Sequence, residues 1–273
     1  MSGVFAEQSM IRRVHREHVL ALSGPRALLM QAAHPVAFAG FFMSTGALGD
    51  PYRRLRRTAE VLDTAVWGER AAAEAATARV RRVHSRVRGT LSQPVGRFPA
   101  GTPWAADDPD LLLWIIATLA DSGRVVYERY VGRLSRRERE GYWSDYRMLG
   151  SMFGLAEADM PADYAGFTAY MREMLGGDVL YVSDEARELG VRIVLHPPVP
   201  LRARPLLELA NFITVGLLPA TLRGQYGLSC DPVRGLALRV GQEYTRRLLV
   251  PVLPARLRRR RPAPRERPLP LAA

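Results

Sequence analysis

The chain contains no lysine, and all 39 of its basic residues are arginine. That absence excludes Schiff-base chemistry, a lysine general base and the phosphate-binding loop that depends on a lysine. It also blunts the formal charge of +12 as a sign of nucleic-acid binding, because arginine is the general solvating cation here. A single cysteine, Cys230, rules out an intramolecular disulfide framework and any cysteine-rich zinc or iron–sulfur site. No Glu-x-x-His, His-Glu-x-x-His or Gly-x-Ser-x-Gly occurs. The carboxylate-bridged di-iron bundle, the helical zinc protease and the elbow-type serine hydrolase are thereby removed. There is no secretory pattern at the N-terminus. The longest apolar tract, residues 27–48, is interrupted by Gln31, His34, Pro35 and two glycines, a poor membrane span and a good buried, kinked helix. These absences lead to the expectation of a reduced, soluble, cytoplasmic protein.

What remains is helical almost throughout. An apolar content of 48% over 273 residues supplies one large core. Period-two strand patterns are nearly missing, and helical periodicity runs from end to end. The spacing predicts a first helix over 6–22 that stops at Ser23-Gly24. A second begins at Pro25 and kinks at His34-Pro35, a third begins near Pro51, and Gly68 separates it from a fourth over 71–89. Residues 92–109 read as a loop. Asp108-Pro109 starts a strongly apolar central helix, and Ser135 with Glu138 forms a capping box for the next. Further helices are expected over 161–175, 183–194, 201–217 and from Asp231-Pro232 to about 249. The expected organisation is one all-α domain over 1–255 and a disordered tail over 256–273. The tail holds seven arginines and one glutamate, hence +6 of the total charge.

Several residues stand out chemically. On the fourth helix Val80, Val83, His84 and Val87 recur at i, i+3, i+4 and i+7, with Arg79, Arg81, Arg82, Arg86 and Arg88 around them. An inward imidazole without a partner costs roughly 1–3 kcal/mol, so His84 is read either as a metal ligand or as a core histidine bonded to a carbonyl. Arg54, Arg57 and Thr58 share one side of a helix turn, where paired guanidinium groups and a hydroxyl suit an anionic or oxygen-rich ligand; a plain surface cluster is the alternative. His34, before Pro35, either fills the gap that the proline opens or lines a cavity. His15 and His18 form a sparse surface pair without a third ligand. Cys230 reads as a small residue ahead of a helix N-cap.

Taken in order, GPRALLMQAAHP (24–35), RLRRT (54–58), VHSRVRG (83–89), the segment from Asp108-Pro109 to Trp114, LSRREREGYW (134–143) and LLPATLRGQYGL (217–228) resemble the MpaB/rubber-oxygenase family. The resemblance covers about residues 10–250. It implies an all-α fold similar to the latex clearing proteins, with a globin-like core, a non-covalent haem b and dioxygen chemistry on an apolar substrate. By that resemblance His84 is the proximal ligand to the haem iron. Arg54 and Arg57 lie over the opposite face, bind the cofactor and steady negative charge on dioxygen, and Thr58 orients oxygen or a water. Phe38, Phe41, Phe42 and Trp114 would line a substrate pocket. Two departures stand out: Arg57 replaces the family's lysine, which excludes a lysine-capped iron, and no acidic residue lies between Glu17 and Asp50 to act as a base. Either His34 is the substitute or the chemistry differs. The rival expectation is a non-enzymatic helical protein that holds an apolar ligand and whose arginine tail meets a membrane or nucleic acid. Peripheral membrane contact through the tail is compatible with either, and no specific nucleic acid is expected for the oxygenase.

Overall fold

The computed structural model describes residues 3–40, 50–228 and 230–260. In chain order its helices and strands are α1 (Met10–His15), α2 (Ser23–Ala32), α3 (Pro35–Phe38), α4 (Pro51–Trp67), α5 (Arg70–His84), β1 (Arg88–Thr90) and β2 (Pro103–Ala105). Then follow α6 (Pro109–Tyr130), α7 (Arg136–Met152), α8 (Tyr164–Gly176), α9 (Asp184–Leu195), α10 (Arg204–Leu217) and α11 (Ala220–Gln225). The last are α12 (Pro232–Tyr244), a π-helical turn (Thr245–Leu249), α13 (Val250–Val252) and α14 (Ala255–Arg258). The all-α expectation holds. No helix among the described residues is long and apolar enough to cross a membrane.

Helix α6 is the axis. Asp108 Oδ1 accepts from the Asp110 and Leu111 amides, and Pro109 occupies the first turn, where its missing donor costs nothing. Most of its residues are buried, including Trp114, Ile116, Ala117 and Val126. Helices α2 and α7 pack on it, and the α7 contact needs Gly123, where a Cβ would fall 2.3 Å from the Tyr142 hydroxyl. Between α2 and α6 lies a buried ionic cluster. The Arg26 guanidinium donates to Asp121 Oδ2 at 2.8 Å, Ser122 Oγ at 2.7 Å and the Leu217 carbonyl at 2.8 Å. Arg124 bonds the other Asp121 oxygen and Glu128. With two guanidinium groups beside it, the Asp121 carboxyl lies below the usual carboxylate range despite burial that pushes the other way.

Four expectations need correction. The first helix is not continuous over 6–22. It ends at His15, and a 3₁₀ turn over His18–Leu22 leads directly into α2, so Ser23-Gly24 opens a helix rather than closing one. At the break Glu17 turns inward, 2% exposed, to meet Arg258 and Arg259. The same contact ties Arg258 and Arg259 of the expected tail to the body, with Arg260 paired to Asp63, while 261–273 lie outside the described residues. Helix α5 stops at His84, and the 92–109 loop contains β2, which pairs antiparallel with β1 in the register Gly89↔Trp104. Strands of three residues carry too little pattern to stand out from a turn-rich sequence. His15 is not at the surface. Its Nε2 meets the Tyr146 and Tyr142 hydroxyls at 2.9 and 3.2 Å, and burial lowers its pKa to about 4.

Candidate functional site

The α4–α5 hairpin turns at Gly68 and runs back antiparallel. Arg54 lies 14 residues before that turn and His84 16 after it, so the hairpin sets the two at the same level. The start of α4 is fixed by Asp50, whose carboxylate accepts from the Arg53 amide, with Pro51 in the first turn. Immediately after His84, β1 pairs with β2, and the Val87 carbonyl accepts from Ala106. That pairing delivers Asp107 and the N-terminus of α6 to the end of α5. Trp104 is buried under this hairpin against Gly89, where a Cβ would sit 2.7 Å from its ring, and against Gly40 at the end of the described α3 segment.

His84 is half-buried. Its Nδ1 is shielded from solvent and has no hydrogen-bond partner among the described residues. Burial, with the nearby Arg54 charge, lowers its pKa below that of free imidazole, and Asp107 only partly offsets them. At neutral pH the ring is therefore uncharged and keeps a lone pair available, the form in which histidine binds a metal. Its place on the helix differs from expectation. Val83 is 54% exposed, and the inward row runs through Ala73, Thr77, Val80 and His84. Thr77 is hidden there because its hydroxyl bonds the Ala73 carbonyl, four residues back.

The other candidates separate. Arg54 is half-buried, and burial lowers its pKa, while guanidinium remains charged at any physiological pH. Arg57 and Thr58 are exposed, as are all residues from Arg56 to Glu60, so this turn of α4 stands clear of the body on every side. The Thr58 hydroxyl bonds the Arg54 carbonyl. The inward row of α4 passes through Leu55, Leu62, Ala65 and Val66, to one side of Arg57 and Thr58. The structure thus brings Arg54 and His84 together and leaves Arg57 and Thr58 one turn out. His34 fills the gap made by its proline: it is the N-cap of α3, its Nδ1 accepting from the Ala37 amide at 3.4 Å, with its ring 5.6 Å from Phe98. Burial first, with Arg97 adding, lowers its pKa to about 4 despite Asp108. Phe38 and Trp114 are buried in the core, Trp114 with its indole N–H unpaired among the described residues; Phe41 and Phe42 lie outside the described residues. Cys230 is a free thiol one residue before the Asp231 N-cap of α12.

Trp104 and Asp107, which no motif in the sequence singles out, frame the His84 end of the hairpin. The one available signal was a tryptophan between prolines and glycines, a composition that favours a covered loop. Among the described residues no group of three or more His, Cys, Asp or Glu side chains could hold a metal ion. A protein-only metal site is therefore not assembled there. One neutral imidazole suffices for an iron that brings its equatorial ligands with it.

Fold and site together define an all-α protein with a shielded, unbonded imidazole nitrogen, among the described residues, set beside a guanidinium within a helical hairpin. Over residues 12–252 the chain matches the family described as ER-bound oxygenase mpaB/B'/Rubber oxygenase, catalytic domain, and it belongs to that oxygenase family. Comparison with curated proteins and with solved structures finds no match.

Proposed function

We propose that the chain is a haem b-dependent oxygenase or oxidase that acts with dioxygen on a small or elongated apolar molecule in the cytoplasm. The observation that carries this reading is the His84 ring: neutral, with a shielded Nδ1 left without a partner among the described residues, inside the family's matched region. The residues fit the cofactor, since a porphyrin supplies four ligands and the protein need add one. When bound, a haem supplies a redox-active iron that can activate dioxygen.

Each residue then has a defined task. His84 is the iron ligand, and the hairpin that stops at its own position fixes where the ring stands. Arg54 keeps His84 unprotonated and offers planar donors to a carboxylate or to negative charge developing on oxygen. Arg57, on the clear turn of α4, contributes donors from the open side of the same helix, while the Thr58 hydroxyl is spent on the Arg54 carbonyl. Arg57 cannot ligate iron, because guanidinium has no free lone pair. His34 is committed to its helix cap and to the Phe98 ring, so its role is to shape the α2–α3 bend rather than to carry a proton.

Expression with haem supply gives a Soret band that His84→Ala abolishes or shifts. Folded protein that stays colourless with added hemin would overturn the reading. For the rival, a binding protein with an arginine arm, the paired state of Arg258, Arg259 and Arg260 removes three of the seven tail charges from any partner.

A further inference from the structure

The C-terminal helices carry an apolar row that folding does not use. On α12 and its π-helical continuation, Val233, Leu236, Val240, Tyr244 and Leu248 recur at spacings of three and four, each more than half exposed. The opposite row, with Leu238 and Gln242, packs on the body. An open groove of about 460 Å³ follows the exposed row, lined by Arg239, Val240, Glu243, Tyr244, Arg247 and Leu248. On α10, which packs against α12, Leu206 and Leu209 are exposed as well. Scattered surface leucines need no explanation, but a row along one helix marks an interaction face.

We propose that this face is a docking surface for an anionic lipid bilayer, with α12 lying along the headgroup region and its apolar row directed into the acyl boundary. Charge selects the occupant. Residues 201–260 hold eleven arginines against three acidic residues, Glu208, Asp231 and Glu243. The one carboxylate in the groove, Glu243, is taken by Arg246 and Arg247. Arg239 in the groove and Arg202 and Arg204 at the head of the neighbouring α10 make no ion pair among the described residues. A second copy of the chain seated on this patch would bring like charges together, which costs several kcal/mol. Phosphate headgroups over an apolar interior satisfy both the leucines and the guanidinium groups. An apolar row shouldered by arginine is the pattern of a helix that lies in a membrane interface.

From Pro232 to Val252 the element is about 30 Å long. The surface is distinct from the tail, whose first arginines are turned inward on Glu17 and Asp63. Docking would set the protein against a phase that dissolves elongated apolar molecules, yet it requires no haem.

The test is co-sedimentation of the full chain with phosphatidylcholine vesicles and with mixed phosphatidylcholine–phosphatidylglycerol vesicles, at low and high salt. The chain is expected to pellet with the mixed vesicles, less so at high salt, and weakly with phosphatidylcholine alone. Leu236→Ser with Val240→Ser should lower that partitioning by roughly tenfold or more, with circular dichroism unchanged. Arg239→Gln should weaken the preference for anionic lipid. The proposal is overturned if the chain stays in solution with both vesicles, or if the serine variant pellets as the parent does. It is equally overturned if only removal of residues 261–273 abolishes binding, or if sedimentation velocity shows a dimer that the serine variant dissociates. Loss of hemin binding would leave all of these readouts in place, so the two proposals fail separately.

Discussion

Replacing Arg26 by methionine tests the frame on which the site is built. The guanidinium is 3% exposed and makes three short bonds, to Asp121, Ser122 and the Leu217 carbonyl, tying α2 to α6 and to the end of α10. Methionine keeps much of the length but strands a buried carboxylate that retains only Arg124, and leaves a carbonyl without that donor. Breaking a buried pair by removing one partner costs about 3–5 kcal/mol, and in a domain of this size each kcal/mol lowers Tm by about 2–4 °C. The expected loss is about 10 °C by calorimetry. Arg26→Met with Asp121→Leu should cost less than Arg26→Met alone, because no orphaned charge remains and Arg124 keeps Glu128. The pH dependence has a fixed sign. The Asp121 carboxyl is held below its ordinary value, so its contribution is present above that value and is lost as pH falls through the lower folded one. In Arg26→Met that loss begins at higher pH. A single variant costing under about 1 kcal/mol, or a double variant costing the sum of the two singles, would refute the reasoning.

Arg54→Ala should raise the His84 pKa, read by histidine NMR titration, so that hemin binding begins to fail at higher pH on acidification; an unmoved titration would separate the two residues. His34→Ala removes a helix cap and should cost about 1 kcal/mol in urea unfolding while leaving the hemin spectrum unchanged; a lost spectrum would return His34 to the site. Arg57→Lys puts an amine where the resemblance implies one and should add a six-coordinate low-spin species at alkaline pH; an unaltered spectrum would place α4's clear turn away from the iron.

Sequence legibility followed the range of the interactions involved. Helices α4, α6, α7 and α12 start where Asp50-Pro51, Asp108-Pro109, Ser135 with Glu138 and Asp231-Pro232 put their caps, because a cap is satisfied within three residues. The break at Glu17 could not be read, since the arginines that draw it inward lie more than 240 residues away. His15 was misjudged for the same reason, its tyrosine partners lying on α7. Around the site, the inward position of His84 was legible from its helix, but the row it belongs to was not. Val83 looked like core and is exposed, while Thr77, which the apolar pattern does not single out, is buried with its hydroxyl on its own backbone. The triad of Arg54, Arg57 and Thr58 was sound as helix geometry, yet burial divides it, because what covers α4 is decided by distant elements.

The most direct measurement is a hemin titration of the parent chain and of His84→Gly, with and without added imidazole. The account predicts saturable binding with a Soret band in the parent, none in the glycine variant, and recovery of the band when imidazole fills the vacated place. An identical titration in parent and variant, insensitive to imidazole, would contradict it.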